Sequence, residues 1–254
     1  MKQVPNFFTL LNLVFGCIAI VYVLQNGISV YVDASGVQVL EVPEEIWMAS
    51  LFIGLAAVVD FLDGFLARLL RADSEMGAQL DSLSDVVSFG VAPGMILYQF
   101  LRNAVARQED GLDASFLWLV PAFFVAAAAA WRLARFNLDK SQQFSFQGLP
   151  APAAGLLVAS IPLIYWNSEN ETIVGLVRNK WFLYAIIAVV SYLMVSTLPL
   201  MSLKFKDYSL KNNVPKLLLL IVAVAAGLLL QWLAVPVVII AYILLSLVLK
   251  TKTA

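Results

Sequence analysis

Residues 59–94 read VDFLDGFLARLLRADSEMGAQLDSLSDVVSFGVAPG. The stretch lies between and within apolar runs long enough to cross a bilayer, yet it holds four aspartates, Asp60, Asp63, Asp81 and Asp85. An aspartate at the centre of a membrane helix costs about 2.5–3.5 kcal/mol on insertion scales. Four close together also repel, so such a cluster persists only with compensating positive charge. The spacing places them. Asp60 and Asp63 are three residues apart, about 60° around a helix, and Asp81 and Asp85 are four apart, about 40°. The polar residues 71–76 turn the chain between the two pairs. At about 1.5 Å per residue, Asp63 and Asp85 each lie about 12 Å into their helices and Asp81 about 6 Å. The two pairs therefore meet across a helical hairpin, where four carboxylates make a site for one or two hard divalent cations.

Composition agrees with a membrane setting. Of 254 residues, 61% are apolar and 13% charged, and the mean hydropathy is +0.87. A soluble domain is closer to half apolar and a quarter charged. Disordered, collagenous, coiled-coil and disulfide-scaffold classes are excluded. There is no histidine, which removes Ser-His-Asp and Cys-His catalysis and His-ligated zinc or haem. Cys17 is the one cysteine, so no intramolecular disulfide or Cys-rich metal site exists. Metal chemistry must use oxygen ligands, which points to Mg²⁺, Mn²⁺ or Ca²⁺. A net charge of −1 gives no reason to expect a nucleic-acid partner.

Eight segments read as membrane helices, roughly 7–25, 47–70, 83–101, 116–136, 152–166, 181–198, 214–231 and 235–249. The fifth is short and is interrupted by Pro152 and Pro162. The first is read as a retained helix rather than a signal peptide, because it runs long and lacks a clear small-x-small cleavage site. Residues 26–46 form an acidic loop. Under the positive-inside rule, twelve of the sixteen basic residues fall on one side: Lys2, Arg68, Arg71, Arg132, Arg135, Lys140, Lys204, Lys206, Lys211, Lys216, Lys250 and Lys252. Arg102, Arg107, Arg178 and Lys180 fall on the other. Both termini and the aspartate hairpin are expected on the cytoplasmic side.

Gly64, Ala67 and Gly77 lie between the aspartates and leave room for close approach. Arg68, one turn past Gly64, is placed to clamp a phosphate. Carboxylates for metal, metal and Arg for phosphate, and glycines for a flat base together suggest a nucleotide diphosphate site. A proton or ion relay in a cation-coupled transporter also uses intramembrane carboxylates, but it accounts for neither the small residues nor Arg68.

The pattern Asp60-x₂-Asp63-Gly64-x₂-Ala67-Arg68-x₈-Gly77-x₃-Asp81-x₃-Asp85 resembles the signature of the CDP-alcohol phosphatidyltransferases, with all eight signature residues in place over 26 positions. The resemblance implies an all-α integral membrane enzyme of about eight helices with a six-helix core, displacing CMP from a CDP-lipid by an alcohol with a divalent metal, Mg²⁺ or Mn²⁺, as two ions. It implies Asp60, Asp63 and Asp81 as metal ligands, with Asp85 near the attacking hydroxyl as general base and second-metal ligand. Gly64, Ala67, Arg68 and Gly77 match CDP-binding positions. It also implies a homodimer.

Four short stretches resemble the serine-using branch of that family: VPNFFTLLNLVFG at 4–16, DSLSDVVSFGVAPG at 81–94, RLARFN at 132–137 and GLPAPAAG at 148–155. They imply CDP-diacylglycerol and L-serine as substrates, in a bacterial-type cytoplasmic membrane. Residues 1–200 are read as the catalytic core and 201–254 as a basic cytoplasmic loop followed by an accessory helix pair. The same chemistry with glycerol 3-phosphate or inositol phosphate as acceptor remains the nearest alternative. A serine carboxylate calls for a cation, preferably an Arg fork. Arg135 is the first choice and Arg132 the second, both at the cytoplasmic end of the fourth helix, where they also serve as topology anchors. Thr9 and Asn12, three apart near the cytoplasmic start of the first helix, read either as pyrophosphate contacts in the CDP site or as helix-capping or interhelix polar contacts.

Overall fold

The computed structural model describes residues 3–248 apart from 33, 35, 37, 73, 109–110, 139–145 and 202–212. Lys2, Lys140, Lys204, Lys206, Lys211, Lys250 and Lys252 lie outside the described residues. Each of the eight expected apolar segments is helical. The first helix, α1 (Val4–Gln25), buries Pro5, Thr9, Asn12, Gly16, Ala19 and Val23, in steps of three and four residues. One narrow stripe thus faces the bundle, and lipid takes the rest. That stripe packs on α2 (Trp47–Leu69) and on α3 (Glu75–Asp85).

Between α1 and α2 the acidic loop is more ordered than its composition suggests. β1 (Ser29–Val32) and β2 (Gln38–Glu41) pair antiparallel, with Ser29 opposite Glu41. α2 ends in a Schellman arrangement: Arg71 takes φ 49°, its N–H donates to the carbonyl of Arg68, and the N–H of Ala72 donates to that of Ala67. Ser74 then caps α3, its Oγ accepting from the N–H of Gly77 at 3.0 Å. These two caps build the short turn that brings the aspartate pairs face to face.

The third span is longer than expected. α3, a π-helical turn at Val86–Val91, and α4 (Ala92–Ala106) form one helical run of 32 residues. The polar residues of α3 keep it out of the apolar span, which begins at 83 by hydropathy, although the helix begins at Glu75. The π turn sits where three helices crowd it. A Cβ on Gly16 of α1 would fall 2.4 Å from Ser88 Oγ, and one on Gly155 would fall 3.0 Å from the Phe89 backbone. Phe89 is fully buried there beside Ile53, Ile96, Leu97 and Val125.

α5 (Phe124–Leu138) follows two short 3₁₀ turns. α6 (Ala151–Asn167) is not interrupted: Pro152 occupies its first turn, where a missing N–H costs nothing, and the helix continues through Pro162. α7 (Glu171–Val177) and α8 (Lys180–Val195) meet at a bend of 68°. After α8, β4 (Pro199–Leu200) pairs with β3 (Phe146–Gln147) ahead of α6. α9 (Val214–Leu230) and α10 (Ala234–Val248) are apolar throughout and could by length be one crossing. However, Gln231 breaks the helix at φ 49°, and α9 and α10 pack against each other. Tyr242 Oη donates to the carbonyl of Met201, and the Met201 N–H donates to Ser246 Oγ. The end of α10 thus returns to the level of the chain preceding α9, so the pair is a hairpin.

Among the described residues, five helical runs are long and apolar enough to cross a membrane when α9–α10 is counted as one run, six if the bent pair α7–α8 is one crossing, and α6 is a shorter apolar helix. Large apolar side chains such as Phe7, Phe61, Leu228 and Leu229 point outward over much of the surface. This is an all-α integral membrane protein.

The joint between the chain ahead of α6 and the end of α8 depends on Gly148. Its φ is +74°, its N–H donates to the carbonyl of Leu198, and a Cβ there would fall 2.7 Å from the carbonyl oxygens of Met194 and Ser196. Gly148→Ala is expected to destabilise the protein by more than about 1 kcal/mol. A lowered melting temperature of detergent-solubilised protein checks this.

Candidate active site

The caps on either side of residues 70–74 bring α2 and α3 together with the aspartates on facing sides. One carboxylate oxygen from each of Asp60, Asp63 and Asp81 lies within 4.8 Å of the other two. Asp85 stands outside this trio but in electrostatic contact with all three. It is buried, as is Asp63. Among the described residues, no salt bridge involves any of the four. Three carboxylates this close, with only oxygen donors and no ion-pair partner among the described residues, are a ligand set for a hard divalent ion. The residues present fit a metal of that kind.

A cleft of about 300 Å³ opens beside the trio. Asp60, Asp63, Gly64, Ala67, Gly77 and Asp81 line it, together with Pro5, Asn6 and Thr9 of α1. A Cβ on Gly64 would meet nothing within 4 Å, so this glycine leaves space in the cleft and not a helix contact. At Gly77 a Cβ would come to 3.1 Å from Asn6 Oδ1 and Ser74 Oγ. Arg68 is exposed on the last turn of α2 and is not among the lining residues.

Thr9 and Asn12 turn to the aspartates. Thr9 Oγ1 donates to Asp63 Oδ2 at 2.6 Å, and Asn12 Nδ2 donates to Asp85 Oδ1 at 3.1 Å. Both are buried in the α1 stripe. Asn12 is not among the residues that line this cleft. Its observed side-chain contact is the interhelix bond to Asp85. Charge-assisted hydrogen bonds of this kind fix the direction in which a carboxylate points.

Arg132 and Arg135 also part company. Arg135 donates from Nη1 to the carbonyl of Val195 at 2.8 Å and from Nη2 to that of Ser196 at 2.9 Å. It thereby satisfies orphan carbonyls at the end of α8. Arg132 is buried, its Nε has no hydrogen-bond partner, and its charge is felt by Asp85 and Tyr242. Of the two, Arg132 is the one with an unpartnered buried donor, Nε, and with Asp85 in electrostatic reach. Asn137, which sequence reasoning did not single out, donates to Ser82 Oγ at 2.9 Å and ties the end of α5 to α3 between Asp81 and Asp85. Its only signal was membership of the RLARFN stretch.

Comparison with known proteins gives a consistent set of matches. The CDP-alcohol phosphatidyltransferase family matches residues 2–193. A CDP-diacylglycerol–serine O-phosphatidyltransferase from Mycobacterium tuberculosis (strain ATCC 25618 / H37Rv) is 35% identical over 203 residues, covering 76% of this chain and 65% of that protein. Enzymes of the same name from Helicobacter pylori (strain ATCC 700392 / 26695) and Bacillus subtilis (strain 168) are 32% identical over 212 residues and 30% over 165. The first match covers 82% of this chain and 75% of the relative, and the second 65% and 78%. The chain thus spans about two thirds of the length of its mycobacterial relative.

Proposed function

Because the chain belongs to the CDP-alcohol phosphatidyltransferase family, we propose that it transfers the phosphatidyl group of CDP-diacylglycerol to the hydroxyl of L-serine, giving phosphatidylserine and CMP. The observation that carries the reading is the carboxylate trio beside a cleft that Gly64 leaves open, inside the stretch matched by the family. The relatives' names supply the acceptor. The family match removes the ground for a transporter.

In this reading Asp60, Asp63 and Asp81 hold a divalent cation, Mg²⁺ or Mn²⁺. Asp85, next to Asp60 and Asp81, completes a place for a second. When bound there, the metal would supply positive charge for the diphosphate and for the leaving CMP. Gly64, Ala67 and Gly77 form the bed for the CDP moiety, and Arg68 at its edge supplies a phosphate contact. Thr9 holds Asp63 in its ligating direction. Asp85, aimed by Asn12, accepts the proton of the serine hydroxyl. The serine oxygen then forms a bond to the phosphorus that bears the diacylglycerol, and the bond from that phosphorus to the bridging oxygen breaks, releasing CMP. Arg132 pairs with the serine carboxylate, while Arg135 anchors α5 to α8. Residues 1–200 form the catalytic core, and α9–α10 are an accessory hairpin. The protein works as a homodimer in a bacterial-type cytoplasmic membrane.

The reading is tested by incubating purified protein with CDP-diacylglycerol, Mn²⁺ and labelled serine. Label in the lipid phase supports it, and label that stays in water contradicts it. The side of the membrane is tested in intact cells on a Cys17→Ala background. Met76 is exposed in the turn region and Ala34 in the β1–β2 hairpin. Met76→Cys is expected to resist an impermeant thiol reagent and Ala34→Cys to react. The opposite pattern would put the site on the outer face.

A further inference from the structure

Buried polar atoms without partners are costly, at about 1–3 kcal/mol each, and their placement therefore carries information. Three of them belong to residues tied to Asp85 by a hydrogen bond, by charge or by chain position. Arg132 Nε is a free donor, Ser84 Oγ is free on the neighbouring residue, and Asn12 Oδ1 is a free acceptor. Asn12 is 0% exposed, and Ser84 and Arg132 are 1% and 6% exposed.

Asn12 is held from both ends. Its Nδ2 donates to Asp85, which leaves Oδ1 as the buried atom without a partner, since the opposite amide orientation would set two acceptors against each other. Its backbone carbonyl accepts from Ser88 Oγ at 2.9 Å. Gly16 lets α1 approach close enough for that bond, because any Cβ there would strike Ser88. The π-helical turn after Asp85 and the α1 stripe thus lock one amide in one direction.

An acceptor amino acid brings three groups. Its hydroxyl goes to Asp85 and its carboxylate to Arg132 in the reading above. Its ammonium has three donors and needs acceptors close to both. We propose that Asn12 determines specificity for an amino-acid acceptor: Nδ2 holds Asp85 while Oδ1 accepts a hydrogen bond from the acceptor's α-ammonium group. This inference rests on serine being the acceptor. It gives α1 a part in acceptor choice as well as in metal positioning.

The experiment compares serine with 3-hydroxypropanoate, which keeps the hydroxyl and carboxylate and lacks the ammonium, as substrate or as competitive inhibitor. CDP-diacylglycerol and Mn²⁺ are held fixed. The wild type is expected to favour serine. Asn12→Leu, close in volume and without hydrogen bonds, is expected to narrow that preference about 10- to 100-fold, mainly through a raised KM for serine. Asn12→Ser, which retains a small hydroxyl donor but cannot reach as far, is expected to narrow it too, and serves if the leucine variant does not fold. Equal losses for both acceptors would overturn the proposal and leave Asn12 with the orientation of Asp85 alone. A wild type that forms no lipid from serine overturns the functional reading before any variant is compared, so the two failures are separable.

Discussion

Asp60→Ala, Asp63→Ala and Asp81→Ala are each expected to lower turnover at least about 100-fold, and chelation is expected to abolish it, since a bound metal supplies several kcal/mol of charge stabilisation in the transition state. A second readout separates ligand loss from misfolding. Three carboxylates within 4.8 Å of one another repel when no cation lies between them. Removing one relieves that repulsion, so the variants are expected to melt no lower than the wild type in the presence of chelator. Added Mn²⁺ is expected to raise the melting temperature of the wild type, as any ligand that binds only the folded state does, and to leave the variants unmoved. Robust turnover by one of these variants would remove that residue from the ligand set.

The second large effect is at Arg132. A buried guanidinium that pairs with a substrate carboxylate contributes about 2–5 kcal/mol when its partner is bound, or about 30-fold or more in affinity. Arg132→Lys is expected to raise the KM for serine by that order, because a point charge does not reproduce a two-pronged fork, with the KM for CDP-diacylglycerol little changed. Arg135→Ala provides the contrast. It loses two hydrogen bonds to the end of α8 and is expected to lower stability with little effect on serine binding. A rise confined to the lipid KM in Arg132→Lys would make Arg132 a phosphate contact.

Much of the site is legible in the sequence because its determinants are local. Asp60 with Asp63 and Asp81 with Asp85 lie at helical spacings on two adjacent segments joined by a polar turn, so only the turn had to close for the pairs to meet. The apolar runs are long, and lipid exposure leaves their character unmasked. What the sequence does not disclose depends on neighbours remote along the chain. Thr9 and Asn12 face the aspartates because α1 packs on α2 and α3, and no spacing within α1 says which neighbour it will meet. Arg132 and Arg135, three apart on one helix, look equivalent. One turn of α5 and the long, flexible stems of the two side chains are enough to send Arg135 to the α8 carbonyls and Arg132 inward. The π turn at Val86–Val91 is set by Gly16 and Gly155 from two other helices. The β1–β2 hairpin rests on two four-residue strands, too short to stand out against an acidic loop.

The most direct test of the whole account is CMP release by the purified protein from CDP-diacylglycerol, measured with serine, glycerol 3-phosphate, inositol phosphate or no acceptor, each with Mn²⁺ and with chelator. The account predicts CMP release with serine and metal together and with no other combination. Release that follows glycerol 3-phosphate or inositol phosphate and ignores serine would contradict the acceptor, and release that persists in chelator would contradict the aspartate centre itself.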